Sequence, residues 1–94
     1  MKTYFVYILC SQKYGTLYVG MTSDLSRRIY EHKNHLMAKS FSSRHNVTRL
    51  VHVEQYATFE PAEKRETRIK QWPRQWKIDL INKNNPAWDE ISLL

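Results

Sequence analysis

A small α/β domain, with a three-stranded antiparallel sheet and about three α-helices packed around it, is predicted by three features of the 94-residue chain. Two short runs rich in β-branched and aromatic residues, Tyr4-Phe5-Val6-Tyr7-Ile8-Leu9 and Leu17-Tyr18-Val19, flank a polar turn containing Gly15, the pattern of a hairpin. Apolar residues then recur at helical spacing from Leu25. A third β-type run over residues 47–56 is followed by two further helical stretches divided by Pro73.

Residues 3–10 carry apolar side chains on both faces, so this strand should be covered on both sides and lie in the middle of the sheet. Residues 11–16 form the turn, and residues 17–20 return, ending where Gly20 permits an unusual backbone angle or a close approach. Thr22, Ser23 and Asp24 offer N-caps to a helix in which Leu25, Ile29 and Leu36 form an apolar stripe containing His32, with Arg28 at its edge. Periodicity is lost over residues 37–46, which read as a Ser-rich basic loop. Val47, Val51 and Val53 are expected on one face of the third strand. The second helix should start near residues 58–61, where proline is tolerated, and reach Gln71 with Ala62, Glu66 and Ile69 on one face. A third helix opens at Pro73, places Trp76 and Leu80 four apart, and ends at Asn84, Asn85 and Pro86. One domain over residues 1–94 is expected.

The single cysteine, Cys10, lies in an apolar run and reads as a small buried hydrophobe, which fits a reducing compartment. Neither a signal peptide nor a membrane span is indicated, so the expected location is cytoplasmic. The net charge of +6 is concentrated. Residues 27–49 hold six Lys/Arg against Glu31, among them Arg27, Lys33, Lys39 and Arg44. Residues 64–77 hold six more against Glu66, among them Lys70 and Arg74. Brought together, these segments would make a phosphate-attracting surface; the plainer alternative is two solvated helix faces.

Tyr7 and Tyr18 lie mid-strand, while Arg28 and His32 stack on one helical face. Two phenols, a guanidinium and an imidazole can thus converge. Glu66 sits where a helix should seek the sheet, so it either pairs with a nearby arginine or serves as an oxygen ligand to a hard cation. Taken singly, the tyrosines can be core-edge residues, His32 a satisfied core histidine, and Arg28 solvent-facing charge. His35, His45 and His52 lack metal-ligand spacing and read as surface or packing residues. Among Trp72, Trp76 and Trp88, Trp76 at helical spacing is expected in the core, with base stacking the alternative.

Jointly, these residues resemble the GIY-YIG nuclease superfamily over nearly the whole chain. Phe5-Val6-Tyr7 stands in the place of the first triplet, with Phe5 replacing its glycine, and Tyr18-Val19-Gly20 in the place of the second. Tyr7, Tyr18, Gly20, Arg28, His32 and Glu66 each match a position of that pattern, and Asn85, with Asn84 beside it, matches a family asparagine more weakly. The closing Trp76-Lys77-Ile78 and Asn85-Pro86-Ala87-Trp88 segments are similar to the small stand-alone bacterial members, which lack the second domain that selects DNA in fused relatives.

The resemblance implies a GIY-YIG endonuclease-like fold and hydrolysis of DNA phosphodiesters with one divalent cation. Glu66 would hold Mg²⁺ or Mn²⁺, Arg28 would stabilise phosphoryl charge, and Tyr7 would act as general base, with Tyr18 and His32 positioning or tuning it. The phenol's ordinary pKa is about 10, so the metal and Arg28 would have to favour its phenolate. Without a second domain the implied substrate is DNA with little sequence preference, branched or single-stranded forms included, or DNA chosen by a protein partner. The alternatives are a nucleic-acid-binding module without turnover and a domain whose basic faces meet an acidic protein partner.

Overall fold

The structure is a computed structural model and describes residues 2–34 and 46–93. Along the chain run β1 (Tyr4–Cys10), β2 (Leu17–Thr22), α1 (Leu25–Lys33), β3 (Arg49–Tyr56), α2 (Phe59–Gln71) and α3 (Arg74–Asn84). The strands form one sheet in the order β2-β1-β3, antiparallel at both pairings. Apolar on both faces, β1 occupies the centre, where Val6, Ile8 and Cys10 point one way and Tyr7 and Leu9 the other. Ala62 and Ile69 of α2, with Ile78 and Ile81 of α3, cover the first face. Leu25 and Ile29 of α1 cover the second, completed by Val47, Leu50 and Ile91.

Local chemistry sets the ends of the elements. Asp24, rather than Thr22 or Ser23, caps α1: its Oδ1 accepts the Arg27 N–H at 3.2 Å, while Thr22 Oγ1 accepts the Asp24 N–H at 3.0 Å. Asn34 closes α1 by donating Nδ2 to the Tyr30 carbonyl at 2.8 Å. Pro61 sits in the first turn of α2, where its missing N–H leaves no helical bond unmade. Glu60 near the start of α2, and Arg68 and Lys70 near its end, complement the helix dipole.

Three expectations about the strands are corrected. Strand β2 continues past Gly20 to Thr22, because its pairing with β1 runs to Phe5. Strand β3 begins at Arg49, and Val47 lies before it. Val51 does not share a face with Val47 and Val53: Ile8 pairs with His52 and Leu9 with Leu50, so Val51 is an extra residue that switches the alternation. Val51 therefore packs with α2 and α3, while Val47, Leu50 and Val53 pack beneath α1.

The outer edge of β3 is occupied by the C-terminal segment. Ile91 N–H donates to the Leu50 carbonyl at 2.8 Å, Glu90 Oε2 accepts the Leu50 N–H at 2.7 Å, and Asn85 Nδ2 donates to the Val51 carbonyl at 3.2 Å. That covers part of an edge otherwise open to pairing with another chain. Trp76, expected in the core, is 55% exposed, and the fully buried tryptophan is Trp88, whose Nε1–H donates to Asn82 Oδ1 at 2.7 Å. Cys10 is buried, as expected, and burial pushes its thiol up. Among the described residues no helix is long and apolar enough to cross a membrane.

Candidate active site

Tyr7 lies on the α1 face of the central strand and is fully buried, directly opposite Gly20 across the β1–β2 ladder. Its ring leans over β2, and Gly20 makes that possible. A Cβ at Gly20 would lie 2.4 Å from the Tyr7 hydroxyl oxygen, 2.5 Å from its Cζ and 3.0 Å from Cε2 of Tyr18. The glycine is thus required for close approach; its φ is not positive.

His32, buried on α1, meets the Tyr7 hydroxyl with Nε2 at 3.2 Å. The two rings are edge-on, 6.0 Å apart, and Tyr18 closes the group at 5.2 Å from His32 and 6.3 Å from Tyr7. Spacing of four residues on α1 places Arg28 beside His32, and near enough to the Tyr7 hydroxyl for its charge to act on it. Glu31 anchors that guanidinium at 3.3 Å and Arg27 at 3.4 Å. Thr22, Ser23, Asp24, Arg27, Arg28 and Glu31 line a cleft of about 290 Å³ beside the cluster.

Burial sets the protonation states. It raises the Tyr7 phenol well above its ordinary value, reinforced by Tyr18 and weakly by Glu66, and Arg28 only partly opposes the rise. Even with Arg28 as its cationic neighbour, the phenol is therefore held in its neutral form. Burial, with the neighbouring Arg28 charge, likewise lowers His32, and Glu31 only partly offsets it. A neutral imidazole can take the phenolic proton on Nε2 while the Arg28 charge favours the oxygen left behind.

Glu66 comes from the opposite layer. Helix α2 packs on the other face of the sheet from α1, yet it also touches β2, the edge strand over which Tyr7 leans. The Glu66 carboxylate stands on the flank of α2 and is near enough for its charge to act on the Tyr7 hydroxyl. Its side chain is 18% exposed and pairs with Lys70 at 3.3 Å, rather than with an arginine. The partly buried arginine–carboxylate pair lies elsewhere: Arg65 Nε and Nη2 donate to the two oxygens of Glu54 at 2.8 and 3.0 Å, joined by Tyr56 and by His52, which is buried in this network.

The remaining predicted residues divide. Arg27 is 75% exposed along its side chain beside the cleft, Lys33 pairs with Glu90, and Lys70 pairs with Glu66. Arg74 donates to the carbonyls of Tyr14 and Gly15 at 2.6 and 2.7 Å, clamping the hairpin turn in which Tyr14 has φ 60°. Asn85 holds the C-terminal segment: besides Val51 it donates to the Asp89 carbonyl at 2.9 Å and accepts the Asp89 N–H at 3.2 Å. Lys39, Arg44, His35, His45 and most of the 37–46 loop lie outside the described residues. Sequence reasoning overlooked Glu31, although its positions three and four residues after Arg28 and Arg27 carried the signal.

The GIY-YIG catalytic domain profile matches residues 3–79, most of the chain. This protein belongs to the GIY-YIG family. The GIY-YIG chain is 35% identical over 85 residues to a UPF0213 protein of Syntrophus aciditrophicus, covering 89% of this chain and 95% of the relative. It is 42% identical over 82 residues to a UPF0213 protein of Staphylococcus aureus strain Mu50, with 86% and 96% covered. A UPF0213 protein of Bacillus halodurans, solved by solution NMR, matches with a TM-score of 0.59 at 27% identity, over 94% of this chain and 92% of that one. These relatives support a small stand-alone member of the nuclease family.

Proposed function

We propose that residues 1–94 form one nuclease domain that hydrolyses DNA phosphodiester bonds with a single divalent cation, acting in the cytoplasm with little sequence preference. The observation that carries this reading is the hydrogen-bonded pair Tyr7 and His32, with Arg28 and Glu66 within electrostatic reach of the Tyr7 hydroxyl. A phosphate in the cleft beside Arg28 would meet two guanidinium groups. The Tyr7 oxygen would take a proton from the attacking water while passing its own to His32 Nε2, so no standing phenolate is needed. Tyr18 packs against both rings and would position them.

The donors suit a hard cation. Among the described residues no group of three or more His, Cys, Asp or Glu converges, and the Glu66 carboxylate, within electrostatic reach of the Tyr7 hydroxyl, is the group that would hold the cation. Mg²⁺, or Mn²⁺ in its place, is commonly held by one or two carboxylates with water and substrate phosphate filling the remaining positions. When bound, it would supply neutralisation of charge on the phosphoryl oxygens.

Cleavage of a panel of branched, single-stranded and duplex DNAs, with Mg²⁺ or Mn²⁺ and again with chelator, tests the proposal. Glu66→Ala should abolish metal-dependent cutting and leave the fold intact, because Glu66 pairs with a lysine that is itself half-exposed and a pair of that kind contributes only about 0–1 kcal/mol. The Glu66–Lys70 pair is also the observation that favours the second reading, a nucleic-acid-binding protein without turnover. A wild type that binds DNA and cuts no member of the panel would establish that reading instead.

A further inference from the structure

Outside this cluster, the corner between α2 and α3 carries a mounted aromatic surface. Glu54 holds Arg65 through both carboxylate oxygens, at 2.8 and 3.0 Å. The Arg65 guanidinium lies over the Trp72 ring at 5.0 Å, and Trp72 meets Trp76 edge-on at 6.0 Å. Each member is thereby fixed by the one before it. Trp76 nevertheless remains 55% exposed, although a tryptophan this open forgoes much of the burial that would stabilise it. The segment is basic: residues 64–77 hold six Lys/Arg against Glu66, of which Lys64, Arg65 and Lys70 are paired with Glu60, Glu54 and Glu66. Lys77 bridges the corner, its Nζ reaching the Lys70 carbonyl at 3.5 Å, so cations from both helices lie along the same chain turn.

From this arrangement we infer that Trp76, backed by Trp72, is a stacking platform for an unpaired nucleobase, and that the DNA bound by this protein has a single-stranded segment. This inference rests on the nuclease reading and narrows its substrate. An exposed π-face on a basic segment matches a base attached to a phosphate chain, and base–aromatic stacking tolerates any sequence. Duplex DNA keeps its bases stacked on each other and offers no such partner. Because Arg65 and Glu54 hold Trp72 in place before binding, little side-chain ordering accompanies contact.

The test measures binding in chelator, where no cleavage occurs, by fluorescence anisotropy with three probes: a single-stranded oligonucleotide, the same strand with several abasic sites, and a duplex. Trp76→Ala should bind the intact single strand roughly 5- to 150-fold more weakly, the effect of removing one stack, and duplex within about 2-fold of wild type. Wild type should prefer the intact strand to the abasic one; the Trp76→Ala protein should not. Trp76→Phe should recover part of the loss. Because Trp76 is exposed, circular dichroism and melting should match wild type, and equal weakening toward every probe overturns the proposal. Loss of a dimer in Trp76→Ala, with DNA binding unchanged, overturns it in favour of a protein interface. If Trp76→Ala is unchanged while wild type cuts DNA, stacking alone is wrong; if it loses single-strand binding while wild type cuts nothing, the nuclease reading alone is wrong.

Discussion

Tyr7 and Gly20 form a unit, since one ring occupies the space that the other's missing side chain leaves. Gly20→Ala should drive a methyl group to within 2.4 Å of the Tyr7 oxygen and 2.5 Å of its Cζ, so a fully buried ring would have to shift. Overpacking of this kind costs about 1–3 kcal/mol, read as a lowered urea midpoint, and cleavage should fall with the displaced hydroxyl. Wild-type stability in Gly20→Ala would show that the ring moves freely. Tyr7→Phe separates packing from chemistry: with the ring kept, cleavage should drop roughly 10²- to 10⁴-fold with DNA affinity nearly unchanged. Near-normal cutting by a folded Tyr7→Phe protein would leave His32 as the candidate base. The pH dependence distinguishes the proton's route. His32 faces Arg28 and Glu31 on its own helix, Tyr7 on β1 and Tyr18 on β2, and its pKa lies below the ordinary 6.5. Since only neutral imidazole accepts a proton, kcat should rise with pH through that lowered value and level off by neutrality. A limb still rising above pH 10 would instead indicate titration of the phenol itself, which burial holds above its ordinary value.

At the scale of elements, α2 is braced to β3 by a group that local pattern did not advertise. Burial raises the Glu54 carboxyl, but hydrogen bonds from His52, Arg65 and Tyr56 outweigh it and bring the pKa from 4.5 to about 2. A depressed folded pKa gives stability that is present above the unfolded value and is lost as pH falls from about 4.5 toward 2. The maximum contribution is about 3 kcal/mol, at roughly 1.4 kcal/mol per pKa unit. Arg65→Gln should therefore destabilise the protein by about 2–3 kcal/mol near neutrality and narrow its gap from wild type near pH 3, as read from urea unfolding. A gap that stays constant with pH would mean that Arg65 contributes through its contact with Trp72 and not through the ion pair.

For the whole molecule, the candidate site belongs to neither face of the sheet alone. Helices α1 and α2 cover opposite faces, and Arg28 and Glu66 act on one hydroxyl because β2 is an edge strand with a glycine under the ring. Cations likewise divide by placement rather than by count. Arg27, open beside the cleft, should contribute to DNA affinity, so Arg27→Ala should lower the magnitude of the slope of log affinity against log salt by about 1. Arg74→Ala should leave that slope nearly unchanged and lower stability, because its guanidinium holds the hairpin turn. Equal slope changes in the two variants would mean that Arg74 leaves the turn to meet phosphate.

Sequence by itself determined the element order, the central place of β1, the hairpin, the start of α1 and the family, because these depend on short-range periodicity, capping and the spacing of a few side chains. It also brought Arg28 and His32 onto one helical face, since four residues make about one turn. Tertiary structure decided everything that depends on a neighbour distant in the chain. The extra residue at Val51 overrode strict alternation in β3. Packing left Trp76 outside and took Trp88 in, although helical spacing favoured the reverse for Trp76. Arg74 and Asn85 became ties to turn and tail because backbone acceptors distant in sequence reached them first. The neutral state of Tyr7 is a tertiary property too: a phenol's pKa is set by its solvent exposure and by charges brought to it, here by full burial beneath α1.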